Sequence, residues 1–165
     1  MIYAAILATL CVKYQVPYDL ALSIVEQESG GRNLCFRHEP HLHKDYSLKV
    51  FVVESAKFYA KKNHVSVASE MILRASSLGL MQILGQKARE MGFESDLMDL
   101  CVPENGLEYG VRVLSDLMKK YPNETDVIAS YNAGSPRLLS TGSYVNQRYV
   151  DEVSARLREK RKLMD

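Results

Sequence analysis

Residues 20–31 read Leu20-Ala21-Leu22-Ser23-Ile24-Val25-Glu26-Gln27-Glu28-Ser29-Gly30-Gly31. At helical spacing this stretch has one apolar face, and Glu28 lies on that same face, just before a glycine pair that would end the helix. The sequence therefore predicts a carboxylic acid aimed toward the protein interior. Low polarity and the negative end of the helix dipole both favour the protonated form of such a group, which suits it to general acid chemistry.

Length and composition indicate one globular domain. The chain has 165 residues, of which 47% are hydrophobic and 25% charged, and its formal net charge is +1. A domain of this length buries enough surface to fold without disulfides or metal, and we expect it to act as a monomer. The near-neutral charge gives no reason to expect nucleic acid as a partner.

The three cysteines are widely spaced and form no CxxC pair, so they suggest neither a zinc site nor a redox motif. Cys11 and Cys101 lie among apolar residues and are predicted to be small core side chains, although one disulfide stays an open alternative. Residues 2–12 are apolar, but they lack a basic flank and a cleavage site and are too short to span a bilayer. We therefore expect a buried first helix and synthesis in the cytoplasm without a signal peptide.

The hydrophobic pattern is helical almost throughout, and no strand-like alternation of useful length is present. A polar, irregular stretch is expected over residues 32–46, and a basic, solvated helix end over residues 156–162. Attraction of that basic end to anionic polymers or to a membrane stays open. Helices are predicted over residues 2–14, 17–30, 47–63 with Ser47 as N-cap, 66–74 with Ser66 as N-cap, 79–91, 103–121 and 124–131, and in a last helix with Val145, Tyr149, Val153 and Leu157 on one face.

Four short blocks occur in order along the chain: Glu28-Ser29, Gly79-Leu80-Met81-Gln82, Ser130-Tyr131-Asn132-Ala133-Gly134 and Tyr149-Val150. Together they resemble the signature blocks of lytic transglycosylases with a lysozyme-like domain, the group that includes goose-type lysozymes. Any one block is a weak signal, whereas four in order are a strong one. The resemblance implies an all-α, lysozyme-like single domain over residues 1–165, with an insertion at about residues 36–75.

The resemblance also implies the reaction. Glu28 would protonate the β-1,4 bridging oxygen between N-acetylmuramic acid and N-acetylglucosamine of peptidoglycan. It would then take a proton from the C6 hydroxyl of the N-acetylmuramic acid, giving a 1,6-anhydro product. Most glycosidases need a second carboxylate, but substrate-assisted enzymes do not. Neither cofactor nor metal is implied.

Other matched positions are implied to bind the substrate, in a groove between the end of the Glu28 helix and the turns at Gly79 and Tyr131. Gln82 would hydrogen-bond near the cleaved bond and Met81 would shape the groove, and Tyr149 would point its hydroxyl toward the catalytic acid. Ser77 would either reach sugar or cap a helix beginning at Gly79, and the cap is favoured. The full set of implied substrate-binding residues is Ser29, Ser77, Gly79, Met81, Gln82, Tyr131, Asn132, Tyr149 and Glu39.

The insertion departs from the shorter connection of many relatives. Its Arg37-His38-Glu39-Pro40 segment resembles an insertion in phage and prophage transglycosylases, which favours an enzyme that reaches the wall through a holin lesion or from a virion. Glu39 is a candidate second acid, and an ordinary Arg37–Glu39 contact is the favoured alternative. Three histidines within six residues, His38, His41 and His43, suggest a metal only weakly because they lack an obvious fourth ligand.

Two other functions stay open on the sequence alone. A goose-type lysozyme would hydrolyse the same bond with water, and a non-catalytic wall-binding or virion structural domain would keep the fold without the chemistry. The sequence does not choose between cutting inside a strand and cutting at its end. It does not identify the host either.

Overall fold

The computed structural model describes residues 3–163 and is mostly helical, as predicted. Its helices are α1 (Ala4–Tyr14), α2 (Tyr18–Ser29), α3 (Pro40–Ser47), α4 (Val50–Lys62), α5 (Val67–Arg74), α6 (Gly85–Glu90), α7 (Pro103–Lys120), α8 (Glu124–Ala133) and α9 (Gln147–Lys162). The strands are β1 (Phe36–His38), β2 (Ser76–Leu78) and β3 (Ile83–Leu84), and a short 3-10 helix covers Leu97–Cys101. Among the described residues, no helix is both long enough and apolar enough to cross a membrane.

The chain divides into two compact units, Met1–Gly30 with Gly110–Asp165, and Gly31–Tyr109. In the first unit, α1 follows its predicted course from Ala4 onward, while the predicted start at Ile2 lies outside the described residues. Helix α2 ends where the glycine pair predicts, because Gly30 adopts the left-handed conformation with φ of 61° that glycine accepts at low cost. The core contains the predicted apolar stripe of α2: Leu20, Ala21, Ile24 and Val25 are fully buried.

The second unit corrects two predictions. Residues 79–91 do not form one helix: they form a turn, strand β3 and helix α6, so α6 begins six residues later than expected. Strand β2 pairs antiparallel with both β1 and β3 in a three-stranded sheet. These strands are only two or three residues long, too short for alternation to be visible in the sequence.

The segment predicted to be irregular, residues 32–46, contains β1 and most of α3. Ser66 caps α5 as predicted, since its hydroxyl accepts a 2.9 Å hydrogen bond from the Ser69 amide. Ser47 is not an N-cap: it is the last residue of α3, and its hydroxyl donates to the Lys44 carbonyl. A break at residues 48–49 separates Ser47 from the rest of the expected helix, and α4 covers most of the remainder.

A buried ionic network joins the helices of the insertion to α6. Glu70 and Arg74 are each 1% exposed, and Glu70 accepts hydrogen bonds from Arg74 and, through both carboxylate oxygens, from Arg89. Arg74 also donates to Gln86 and Ser55, and Arg89 to the Phe93 and Ser95 carbonyls. Because both guanidinium groups share the Glu70 carboxylate and donate their other hydrogen bonds to neutral acceptors, the burial of the network is tolerated. The network fixes both ends of the segment that carries β2 and β3.

Candidate active site

In the first unit, Glu28 lies on the last turn of α2 and is half-buried. The hydroxyl of Tyr149, on the first turn of α9, donates a 2.6 Å hydrogen bond to Glu28 Oε1. Tyr149 is likewise half-buried, so the pair is neither sealed in the core nor fully in solvent. Partial burial strengthens such a charge-assisted hydrogen bond while leaving the carboxyl accessible.

Tyr131 and Asn132 lie on the last turn of α8, which ends at Gly134. Although part of the Tyr131 side chain reaches the surface, burial around its hydroxyl raises the pKa of that group well above the ordinary value. The negative charge of Glu28 raises the same pKa further, as expected for two acidic groups close together. Tyr131 therefore stays a neutral hydroxyl next to Glu28 at any physiological pH.

Asn132 is exposed, and its Oδ1 accepts a 3.0 Å hydrogen bond from Asn146 Nδ2. Asn146 Nδ2 also donates to the Ala129 carbonyl, so one amide connects the start of α9 to the end of α8. Sequence reasoning missed Asn146; its position just before a helix, where asparagine is common, was the available signal. In the part of the chain that the structure describes, Asn146 Oδ1 and the Ser130 hydroxyl are buried without a hydrogen-bond partner.

A stripe of polar side chains on α9 holds that helix against α2. Glu152 accepts from Gln27 Nε2, Arg156 donates to Gln27 Oε1, Lys160 pairs with Glu26, and Arg161 pairs with Asp19. We call these seven residues the α2–α9 ladder. Arg161 also pairs with Glu124 of α8. The basic helix end is only partly solvated: Arg161 is exposed and Arg156 and Lys160 are half-buried, and all three also engage acidic or amide groups on neighbouring helices.

Ser29 does not present its hydroxyl at an open surface. The residue is buried, and its hydroxyl donates a 3.1 Å hydrogen bond back to the Val25 carbonyl inside α2. Serine commonly satisfies its hydroxyl in this way within a helix. In this structure, then, the side chain belongs to the interior of the first unit, next to the Glu28 turn.

In the second unit, the Gly79–Gln82 segment forms a tight turn between β2 and β3. The Gly79 amide donates to the Cys35 carbonyl at 2.9 Å, and the Gln82 amide returns to the Gly79 carbonyl at 3.3 Å. Gly79 has a φ of 77°, and a Cβ there would lie 2.2 Å from the Leu100 carbonyl oxygen. Only glycine fits this position, for both conformational and steric reasons.

Gln82 completes the turn in a left-handed conformation, with a φ of 50° that is uncommon for a residue with a side chain. Its Nε2 donates 3.0 Å hydrogen bonds to the carbonyls of Cys35 and Gly79. Two carbonyl acceptors require the NH₂ group at this end of the amide, so Oε1 points the other way. The half-buried side chain therefore presents a fixed hydrogen-bond acceptor.

Met81 is fully buried, so any effect it has on a ligand surface passes through packing. Ser77 is buried within β2 and pairs with Arg37 and Leu84. The favoured interpretation of Ser77 as a helix cap is wrong, because the segment beginning at Gly79 is a turn and no helix starts there.

Glu39 and Arg37 form the predicted contact: Arg37 Nε donates to Glu39 Oε1 at 2.7 Å. His38 Nδ1 lies 3.1 Å from the Ser76 hydroxyl, and the His38 and His43 rings meet edge to face. Within residues 3–163, no three histidine, cysteine or acidic side chains are grouped as metal ligands would be. Cys11 and Cys101 are buried thiols, as predicted.

The sequence matches a known protein family. The family model described as Transglycosylase SLT domain matches residues 8–153. Searches of curated proteins and of solved structures found no match. The domain of that family is lysozyme-like and the structure is mostly helical, so the expected all-α, lysozyme-like fold is confirmed.

Proposed function

Since the chain belongs to the transglycosylase SLT domain family, which acts on peptidoglycan, we propose that it is a lytic transglycosylase with Glu28 as its single acid and base. The observation that carries the proposal is the Tyr149 hydroxyl on Glu28 Oε1. It supports Glu28 because this carboxyl, half-buried at a helix end, has one oxygen engaged and lies next to a permanently neutral tyrosine. Such surroundings suit a group that gives up and recovers a proton.

The reaction proceeds in two proton transfers. Glu28 donates its proton to the glycosidic oxygen as the bond from that oxygen to the anomeric carbon breaks, and the acetamido carbonyl of the muramic sugar supports the positive charge on that carbon. The C6 hydroxyl oxygen then bonds to the anomeric carbon, and its proton returns to Glu28. No water is consumed, and the enzyme ends in its starting state.

The remaining residues bind and orient the glycan. Tyr149 stabilises the Glu28 carboxylate between the two proton transfers, because a donated hydrogen bond favours the charged form. In the second unit, Gln82 Oε1 accepts a hydrogen bond from a sugar hydroxyl or amide of the glycan. Asn132 contacts the acetamido region through the amide that Asn146 orients, and Tyr131 forms part of the same surface. Glu39 keeps a substrate-facing role in this proposal, held by Arg37.

The proposal extends to the organisation of the chain. The family match runs through both compact units, which supports one functional domain over residues 1–165 with an added segment at about 36–75. The resemblance of that segment to phage and prophage enzymes supports the same origin here and a site of action at the bacterial wall.

Replacement of Glu28 by glutamine tests the assignment. The variant keeps the shape of the side chain and loses its proton chemistry, so clearance of purified peptidoglycan should fall by about 10²–10⁴-fold, while wall binding persists. Glu159→Gln makes the same change at an exposed position of α9 and should keep full activity. Clearance by the Glu28 variant at near-native rate would refute the assignment.

Mass spectrometry of the released glycan fragments distinguishes a transglycosylase from a hydrolase. Anhydro ends, lighter than reducing ends by one water, are expected. Reducing ends alone would identify a hydrolase. If the native protein binds the wall but releases no glycan fragments, it is a binding domain that has lost the chemistry.

A further inference from the structure

Four large apolar side chains are exposed within a short stretch of the second unit. Leu48 is 83% exposed, Val50 76%, Phe51 69% and Phe58 63%. Single exposed apolar residues are common on protein surfaces, whereas several close together indicate an interaction site. Three of the four belong to α4, and Leu48 lies two residues before it.

The two phenylalanines project from one side of α4. They are seven residues apart, which is close to two helical turns, and so they lie about 10 Å apart along the same face. The opposite side of the helix faces the core, where Val52 and Ala56 are buried with Tyr46, Met71 and Ala75. The aromatic side of α4 is therefore held toward solvent by the packing of the other side.

Lysines flank this aromatic side. At helical spacing, Lys61 and then Lys57 lie to one side of the phenylalanines, Lys62 lies one turn after Phe58 on the same side of the helix, and Lys49 precedes the helix. Residues 48–62 contain four lysines and one glutamate, in a chain whose whole net charge is only +1. Two of the lysines form exposed ion pairs, Lys57 with Glu54 and Lys62 with Glu94. We call this surface the aromatic–lysine face; it comprises Leu48, Lys49, Val50, Phe51, Lys57, Phe58, Lys61 and Lys62.

We propose that the aromatic–lysine face binds the surface of an anionic phospholipid bilayer. Apolar and aromatic side chains bordered by lysines match an interface in which acyl chains lie beneath negative headgroups. A second copy of the chain would bring like charges together across the contact, which disfavours it. A carbohydrate polymer has no hydrocarbon layer to take up the phenylalanines and leucine. Lipid is therefore the occupant that satisfies both the apolar and the positive groups.

The test uses the full chain and vesicles of two compositions. One is an equal mixture of phosphatidylcholine and phosphatidylglycerol, and the other is phosphatidylcholine alone. Co-sedimentation should show binding to the anionic vesicles that weakens with added salt, and no comparable binding to the neutral ones. Because the proposal does not depend on the glycan chemistry, the Glu28→Gln protein should bind vesicles as the native protein does.

Two double variants address the two parts of the face. Phe51→Ser with Phe58→Ser should weaken vesicle binding at least tenfold, and Lys57→Gln with Lys61→Gln should weaken it about fivefold for each lysine. Val12→Ser with Leu138→Ser removes equally exposed apolar residues elsewhere and should leave binding unchanged. All these positions are exposed, so the thermal midpoints should stay near the native value, which separates lost binding from lost folding.

Three results would overturn the proposal. One is the absence of vesicle binding by the native protein, and another is binding that the Phe51 and Phe58 changes leave intact. The third is self-association in sedimentation velocity that those same changes abolish without any vesicle binding, which would assign the face to a second copy.

Discussion

The Tyr149 hydroxyl and Glu28 Oε1 lie 2.6 Å apart, although 121 positions of sequence separate the two residues. This hydrogen bond makes the two carboxyl oxygens inequivalent. Oε1 accepts from tyrosine, so in the protonated acid the proton belongs on Oε2. Under the proposed mechanism, Oε2 therefore delivers the proton to the substrate, while Oε1 stays bound to the Tyr149 hydroxyl.

Removal of the Tyr149 hydroxyl should slow the reaction. In Tyr149→Phe the ionised Glu28 loses a charge-assisted hydrogen bond, and because such bonds contribute about 1.5–3 kcal/mol, wall clearance should fall about tenfold or more. The pH–activity profile should also move to higher pH, since the charged carboxylate is less favoured. Tyr144→Phe is the matched control, because that hydroxyl donates a 2.6 Å bond to Asp126 instead. Equal loss in both variants would argue against a specific role for Tyr149.

Glu70 should be among the most sensitive positions of the second unit. Glu70→Gln leaves two buried guanidinium groups, Arg74 and Arg89, without a counter-charge, and we expect a loss of about 3–5 kcal/mol in the free energy of unfolding. The same change at Glu54, which pairs with Lys57 at the surface, should cost about 0.5 kcal/mol or less. Urea denaturation measures both. A loss below about 1 kcal/mol for the Glu70 change would mean that water reaches the network.

Gly79→Ala should be costly for two separate reasons. The left-handed φ of 77° disfavours alanine by about 1–2 kcal/mol, and the added Cβ would meet the Leu100 carbonyl oxygen at 2.2 Å. Gly92→Ala isolates the first reason, because its φ is 86° and a Cβ there would meet nothing within 4 Å. The unfolding free energies of the two variants should therefore differ by about 1–3 kcal/mol. Equal losses would show that the strand turn relaxes around the extra carbon.

Stability should decrease in alkali through Cys11. Burial, with a smaller effect from Asp19, raises the pKa of this thiol from 9.0 to about 11. The folded state therefore favours the neutral thiol. The contribution of this thiol to the free energy of unfolding is complete below about pH 9 and is lost as the pH rises toward 11, by about 2.7 kcal/mol at most. Cys11→Ala costs stability at neutral pH through its cavity, but the gap to the native protein should narrow over this range. A gap that stays constant up to pH 11 would contradict the raised pKa.

Much of the helical architecture could be predicted because its signals are local. The glycine pair ends α2, Pro103 begins α7, and Ser66 caps α5, each by chemistry contained in a few adjacent residues. The burial of Cys11 followed in the same way from apolar neighbours. Long amphipathic patterns predict helices, and capping residues predict where the helices begin and end.

The small sheet could not be predicted, because strands of two or three residues carry no period. Its existence depends on Cys35, whose carbonyl accepts both the Gly79 amide and Gln82 Nε2 from more than forty residues away. The helical pattern of residues 79–91 led to the wrong prediction of one helix, because it does not reveal these long-range contacts. The close packing of Gly79 on Leu100 takes precedence over local helical preference.

In the candidate site, the family blocks pointed to residues, while the contacts that orient them were invisible. Nothing local to Asn146 or Gln27 indicates that they bind Asn132 and Glu152. Partners of this kind are far apart in sequence, and which residues meet depends on how whole helices pack. The catalytic role of Glu28 and the supporting role of Tyr149 remain predictions, which the Glu28→Gln and Tyr149→Phe variants test.

The α2–α9 ladder makes α9 sensitive to changes in its length. Tyr149, Glu152, Arg156 and Lys160 recur every three or four residues, so they share one side of the helix. Insertion or deletion of one residue after Val153 would rotate the later members by about 100° relative to Tyr149 and separate them from Gln27 and Glu26. Natural variation in this helix should therefore favour substitutions over insertions and deletions, because even an addition of seven residues, which restores the rotation, would displace the later members by about 10 Å along the helix axis.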